Sequence, residues 1–433
     1  MSFALIMVLV ILFVMLIVGA PVVFAIGTAA GSYFLLKPDM LSQLIIYPHK
    51  FFTGMDSFVF LAIPLFTLSG ELMSQTGMMD KMVGFVRLFV GRFRGGMAYV
   101  NVLASMLFGG ISGSALADVA ALGPVEVDMM KKDGYDPTFA AALTASSAIQ
   151  GPVIPPSIPF VIYASLTNAS VGALFMGGLV PGIMLGLAQC VVIYFLGKKR
   201  NFTKSDVPLS HKEKVEVCST AVSALIMPII IIGGIVSGIF TATEAAAVAV
   251  IYALVIGLFV YRNITLHTLL QALKTTITTT AGIYLIIGFT GIVSWILAME
   301  TVPALITSFV AKSHISVYAL LFLVNIFFLF NGMWISDTAQ LILFAPIFAP
   351  LFASMGISTI HFGVIMVVNV MLGMITPPYG TALYLAAGIS NSKLKDVVRE
   401  VLPFLCACIA VLFLITYCPV LVETLPKLTG MMS

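Results

Sequence analysis

Apolar residues run along this chain in long blocks, and the polar positions fall between blocks at intervals suited to membrane-crossing helices. Blocks at about 2–19, 21–36, 57–78, 138–166, 170–197, 222–240, 243–261, 276–298, 361–388 and 401–421 reach or approach the roughly 20 residues that a helix needs to cross a bilayer. Two further regions, 97–128 and 318–350, are apolar but punctuated by Gly, Ser and Pro. These read as re-entrant hairpins, which leaves ten spans.

Two of the blocks cannot be continuous helices. Gly151-Pro152-Val153-Ile154-Pro155-Pro156-Ser157 places three prolines in five positions. Proline lacks the N–H, clashes with the preceding turn and drives its predecessor out of the helical region. In lipid the freed carbonyls and N–H groups are tolerated only when buried in protein or facing a polar cavity. Gly373-Met374-Ile375-Thr376-Pro377-Pro378-Tyr379 repeats the pattern 222 residues later, so that Gly151, Pro155 and Pro156 map onto Gly373, Pro377 and Pro378. Paired interrupted segments at corresponding positions of two halves point to a transporter's substrate and ion sites.

The same offset maps residues 1–36 onto 223–258, Gly110 onto Gly332, Ser114 onto Ser336, Pro124 onto Pro346 and Gly134 onto Gly356. Each half reads as two spans, a third span, a hairpin, a broken span and a final span. An odd number of crossings turns the second copy upside down, giving an inverted repeat. The expected organisation is a first repeat over 1–197, a cytoplasmic linker over 198–221, a second repeat over 222–421 and a tail over 422–433. Residues 79–96 alternate apolar and basic positions at helical spacing, as an interfacial arm with its arginines towards lipid headgroups would. A less basic counterpart lies at 301–316.

Composition agrees: 60% of the 433 residues are hydrophobic and 9% charged, with a mean hydropathy of +1.13, far outside the soluble globular range. Charge placement orients the chain. With an external N-terminus, 17 of the 21 Lys and Arg fall inside, and only Lys37, Lys50, Lys312 and Lys427 fall outside, as the positive-inside rule requires. Both termini are then periplasmic, and the two hairpins enter from opposite sides. The first residues carry no basic region ahead of the apolar run, which argues against a cleaved signal peptide. The five cysteines and five histidines show no metal or redox spacing, so no transition metal and no cofactor is expected. No GxxxxGK[ST] is present, which excludes ATP as an energy source within this chain.

The first hairpin turns at Gly109-Gly110-Ile111-Ser112-Gly113-Ser114, with Asp118 one helical turn on, and the second at Asn331-Gly332-Met333-Trp334-Ile335-Ser336-Asp337-Thr338. Glycine permits a tight path and serine supplies oxygen without bulk. Facing the two breaks, such tips suit a hard cation, and two symmetry-related sodium sites follow. Small residues also pack membrane helices closely, but a packing motif need not recur beside a proline break at the same offset. Asp118 and Asp337 are acids at membrane depth and therefore functional candidates. Asp337 is the stronger for substrate or ion contact, whereas Asp118 serves equally well as a cap. Thr241 and Glu244 fit a capping box. No Lys or Arg lies inside the two hairpins or the breaks, so an anion would rest on helix N-termini. Ser157, and Tyr379 with Thr381, sit where those N–H groups emerge, and bound sodium would add the positive field the anion needs.

GGISGSALADVAALGPVEVDMMKKDGYDPTFAAALTASSAIQGPVIPPSIPFVIYA, with GMWISDTAQLILFAPIFAP and MLGMITPPYGTALYLAAGIS, closely resembles the large membrane subunit of TRAP (tripartite ATP-independent periplasmic) transporters, over essentially the whole chain. The resemblance implies sodium-driven uptake of organic acids such as sialic acids and C4-dicarboxylates in a bacterial inner membrane. It implies a periplasmic substrate-binding protein, a separate small membrane subunit of about four spans, and an elevator movement of a hairpin-bearing transport domain against a scaffold. The family's hairpin and break residues fall on Ser112, Gly113, Ser114, Gly151, Pro155 and Ser157, and on Gly332, Asp337, Gly373, Thr376 and Pro377. Gly110, Ser112, Gly113, Ser114, Gly151, Pro155, Gly332, Gly373, Thr376 and Pro377 form the expected sodium set, while Ser112, Ser157, Asp337, Tyr379 and Thr381 form the substrate set.

The expectation is thus an all-α polytopic inverted-repeat secondary transporter, not an enzyme, since the breaks frame no paired nucleophile and base. A stand-alone ion-coupled anion carrier that needs no binding protein is the alternative, and a solute channel a more distant one.

Overall fold

The computed structural model describes residues 2–76, 78–202, 211–313 and 315–432. Lys204, Pro208 and His314 lie outside the described residues, as do the side chains of His211, Lys212, Lys214 and Cys218. The described chain is helical, with no strand. Among the described residues six helices are long and apolar enough to cross a membrane individually, including Val171–Lys199, Leu266–Met299 and Leu394–Tyr417. The chain is a polytopic α-helical protein of two inverted repeats.

Each hairpin is a pair of helices joined at a polar tip. Gly96–Ser112 and Ala115–Lys132 make the first, Val317–Asn331 and Asp337–Ser354 the second. Both outer arms are capped alike: Ser114 accepts from the Ala117 N–H and Ser336 from the Ala339 N–H, each at 3.4 Å. These residues are related by the 222-residue offset. The broken spans are Pro137–Ala148 with Ile158–Thr167, and Thr359–Gly373 with Thr381–Ser390. Both breaks contain a cis Pro–Pro peptide, at Pro155-Pro156 and Pro377-Pro378.

Packing of these elements follows the pseudo-symmetry. The outer arm Ala115–Lys132 lies against Thr381–Ser390, and Asp337–Ser354 against Ile158–Thr167, so each hairpin rests on the second half of the other repeat's broken helix. A second body is built from Phe3–Ile17, Val22–Leu36, Ala62–Gln75, His211–Val236, Ala242–Val255 and Leu266–Met299. There Ala62–Gln75 packs on Ala242–Val255, and Val22–Leu36 on Leu266–Met299, again a symmetric exchange. Thr241 and Glu244 form the expected capping box at the start of Ala242–Val255.

Three features depart from the hydropathy pattern. The third span of the first repeat falls where expected, at Phe58–Gln75, but a separate helix, Ile46–Met55, precedes it. Asp56 and Ser57 leave the helical conformation there, as short polar side chains that compete for backbone groups favour. The counterpart, Leu266–Met299, is one helix of 34 residues and starts ten residues before its apolar block. Ile46–Met55 packs along it, and a Cβ on Gly291 would lie 3.0 Å from the Gly54 Cα.

The helix His211–Val236 begins inside the region expected as linker. At the other end Val420–Leu428 is helical within the expected tail and packs on Val171–Lys199. Its nine residues with Pro426 inside are too short to register as a span. The segment expected as an interfacial arm, 79–96, is helical over Met78–Val90. Its Arg87 faces Asp133 at 3.6 Å, so one of the arginines expected towards lipid holds the arm to the loop after the first hairpin.

Candidate functional site

A cavity of about 670 Å³ lies where the two bodies meet. The first hairpin tip contributes Ser112, Gly113 and Ser114, and the second Ser336, Asp337 and Thr338. Pro152 comes from the first break and Pro159 from the helix Ile158–Thr167 after it, Met374 from the second break, Thr67, Gly70, Glu71 and Ser74 from Ala62–Gln75, and Thr279 and Gly282 from Leu266–Met299. The lining carries two carboxylates and seven hydroxyls, and among these residues there is no Lys, Arg or His.

Glycines bring each tip against its break. A Cβ on Gly332 would meet the Gly373 Cα at 2.5 Å, and one on Gly373 would meet the Gly332 Cα at 2.6 Å. In the first half the close pair is Gly109 and Gly151, with 3.0 Å from a Gly151 Cβ to the Gly109 Cα. The contact is shifted one residue from the Gly110 that the offset selects. Gly110 instead faces the Pro155 carbonyl oxygen, 3.3 Å from where its Cβ would stand. At Gly113 the backbone is left-handed, with φ +61°, and a Cβ would meet the Pro156 carbonyl at 2.8 Å. Only glycine satisfies both conditions. The first tip thus collects backbone and hydroxyl oxygens: the carbonyls of Pro155 and Pro156, and the Ser112 hydroxyl, which bonds to Ser114 at 3.4 Å.

The residues singled out in the sequence separate into cavity-lining, tip-to-break, capping and exposed positions. Ser112, Gly113, Ser114 and Asp337 line the cavity; Gly110, Gly151, Pro155, Gly332 and Gly373 form the tip-to-break contacts just described. Ser157 is fully buried and caps Ile158–Thr167, accepting from the Phe160 N–H at 3.2 Å and donating to the Pro152 carbonyl. Thr376 donates to the Leu372 carbonyl at 2.7 Å, with Pro377 following in the same break. Tyr379 and Thr381 are exposed at the second break and do not line the cavity.

Behind each tip lies a buried polar clasp that hydropathy alone does not disclose. In the first half Asn101 donates to Glu126 Oε2 at 2.7 Å, and Ser147 donates to Asn101 Oδ1 at 2.8 Å. In the second, Asn369 donates to Asn325 Oδ1 at 2.8 Å and Asn325 to Thr416 at 3.0 Å. Ser147 and Asn369 correspond under the offset. Both clasps tie a hairpin's inner arm to the first half of a broken helix, and the signal available in the sequence was a lone Asn within an apolar block. Asp118 is buried with no hydrogen-bond partner among the described residues. Its counterpart Gln340 donates to the Ile335 carbonyl at 3.2 Å. Among the described residues no group of His, Cys, Asp and Glu is arranged to hold a transition metal.

The family of the tripartite ATP-independent periplasmic transporter, DctM component, matches residues 9–421. The chain belongs to that family. It is 38% identical to the sialic acid TRAP transporter large permease protein SiaM of Vibrio cholerae over 414 residues, which cover 96% of each chain. It is 37% identical to the C4-dicarboxylate TRAP transporter large permease protein DctM of Pseudomonas aeruginosa, over 93% of this chain and 94% of that one. Among solved structures, the YdaH transporter of Alcanivorax borkumensis superposes with a TM-score of 0.66 at 15% identity, over 96% of this chain and 98% of that one. It shares the fold. The chain is therefore a TRAP-type large permease, and its relatives are transporter subunits rather than enzymes.

Proposed function

We propose that this permease imports an organic acid of the sialic acid or C4-dicarboxylate class, coupled to sodium. A periplasmic binding protein delivers the acid, and a small four-span membrane subunit accompanies the permease. The observation that carries this reading is the cavity at the two hairpin tips, rich in oxygen and devoid of basic side chains. An anion there needs positive charge from outside the side-chain set. Helix N-termini supply part of it, and sodium held at the tip-to-break contacts supplies the rest.

The donor set fits sodium: carbonyl and hydroxyl oxygens with no thiol or imidazole, at unwound backbone lining a cavity. Gly110, Ser112, Gly113, Ser114, Gly151 and Pro155 would hold one ion, and Gly332, Gly373, Thr376 and Pro377 its symmetry mate. Ser112 and Asp337 contact substrate. Ser157 acts through Pro152, a lining residue whose carbonyl it binds. Tyr379 and Thr381, exposed at the opposite break, would meet substrate in the other-facing state. Hairpins and broken helices move together as an elevator against the second body, carrying the cavity with them. Both termini lie in the periplasm, a reading that the charge distribution supports.

Uptake by the complex reconstituted in liposomes tests the proposal. Removal of sodium is expected to abolish it, while undiminished uptake driven by a proton gradient alone would refute the ion assignment. Transport by this chain without a binding protein would favour a stand-alone carrier.

A further inference from the structure

The two cavity carboxylates are held differently. Asp337 lies in the first turn of Asp337–Ser354, where the helix dipole offsets a negative charge. Glu71 lies one turn from the C-terminal end of Ala62–Gln75, where the dipole gives no such help. It has no hydrogen bond and no ion pair among the described residues, yet it faces the cavity. Its position under the repeat offset is Val293, so the fold itself does not call for an acid there. An ionisable group at membrane depth without a protein partner marks a functional position.

A free carboxylate is an acceptor only, and it requires O–H or N–H groups from whatever fills the cavity. Thr67 and Ser74, one turn before and one turn after Glu71 on the same helix face, add hydroxyls beside it. The volume of about 670 Å³ falls in the range of sites for ligands well above four carbons. A C4-dicarboxylate would bring a second negative charge towards Glu71 or Asp337 with no cationic side chain to meet it. A hydroxylated monocarboxylate places its one charge at the hairpin tip and its hydroxyl hydrogens on the two acids.

Resting on the reading of this cavity as an organic-acid site, we infer that its substrate is a hydroxylated monocarboxylate of sugar-acid size rather than a C4-dicarboxylate, and that Glu71 accepts that substrate's hydroxyl hydrogens. A site built to pair buried polar groups rejects ligands that leave them unpaired.

The test is direct binding to the purified membrane complex in sodium, without the binding protein, using N-acetylneuraminate, D-gluconate and succinate. At least one of the hydroxylated acids is expected to bind about tenfold or more tightly than succinate, a difference set by the paired hydroxyls. Glu71→Ala should weaken that acid about tenfold without weakening succinate, and Glu71→Gln, which keeps an acceptor oxygen, should retain part of the affinity. Succinate binding as tightly as both hydroxylated acids, or Glu71→Ala lowering all three equally, would overturn the inference while leaving organic-acid transport intact. Failure of all three to bind a folded complex would instead remove the organic-acid reading on which it stands.

Discussion

Gly332 and Gly373, 41 residues apart in sequence, meet backbone to backbone: a Cβ on either would come within 2.6 Å of the other's Cα. The second hairpin tip therefore closes on its broken helix only because neither residue has a side chain. Any Cβ there forces the backbones apart, since nothing flexible stands in the way to yield.

Gly332→Ala and Gly373→Ala are accordingly expected to cost about 1–3 kcal/mol through overpacking and to abolish sodium-dependent uptake. Gly388→Ala is the control. It lies within Thr381–Ser390 with open space around its Cβ position, and alanine favours the helix by about 1 kcal/mol. Thermal melting and uptake of the three variants check the contrast; equal behaviour would show that the tip contact is not needed.

Ser157 and Asp337 separate capping from contact. Ser157→Ala removes the cap on Phe160 N–H and should lower stability by about 0.5–2 kcal/mol. Asp337→Asn keeps the shape of the side chain and should reduce uptake, because Asp337 faces the cavity. The pair of measurements, melting temperature and initial uptake rate, should move in opposite proportion in the two variants.

The buried clasp in the second half predicts a loss without any contact to ligand. Asn325→Leu removes the side-chain bonds to Asn369 and Thr416, leaving Asn369 the Asn325 backbone carbonyl and Thr416 the Leu412 carbonyl, at about 0.5–1.5 kcal/mol for each hydrogen bond lost. Hydrogen exchange should report faster opening of Val317–Asn331 in the variant. Unchanged protection there would place the hairpin's stability elsewhere.

Glu300, just past the end of Leu266–Met299, accepts from the Tyr33 hydroxyl at 2.7 Å and pairs with Lys37 at 3.0 Å. The Tyr33 hydrogen bond, with Lys37 assisting, holds its carboxyl down at about 2. A folded pKa below the ordinary value near 4.5 contributes stability that is complete above that value and is lost as pH falls through about 2. Acid melts of the wild-type chain should therefore steepen between about pH 4.5 and 2, and Glu300→Gln should flatten that window while leaving the profile from pH 6 to 8 unchanged.

Much of the site was legible in the residues because membrane insertion leaves few options. Pro155-Pro156 and Pro377-Pro378 cannot continue a helix in lipid, and Gly110 and Ser114 have no reason to recur, as Gly332 and Ser336, beside them unless a turn is needed. The offset of 222 residues carried from the prolines to the capping serines, and the structure places Ser114 and Ser336 in the same role. The close glycine contact of the first half was harder to read, since its partner is Gly109 while the offset names Gly110. One residue of slippage in a helix rotates a position by about 100°, and no periodicity argument resolves that.

Glu71 shows the other limit. In sequence it is an acid near a helix end, indistinguishable from a cap or a solvated charge. What makes it a cavity residue is the approach of Ala62–Gln75 to both hairpin tips, elements separated from it by up to 267 positions. Asn101, Asn325 and Asn369 are similar: each is a lone polar residue in an apolar run, and its partner is known only once the hairpin is packed.

The chain's own order of apolar and helix-breaking residues determined that it crosses a membrane, that its halves are inverted copies, and where the helices break. Those are local properties, set by backbone sterics and the cost of unpaired amides in lipid. Tertiary structure alone decided which oxygens and carboxylates share one cavity and which serine became a cap. These depend on distances between elements hundreds of residues apart, and such distances follow from packing, not from any pattern along the chain.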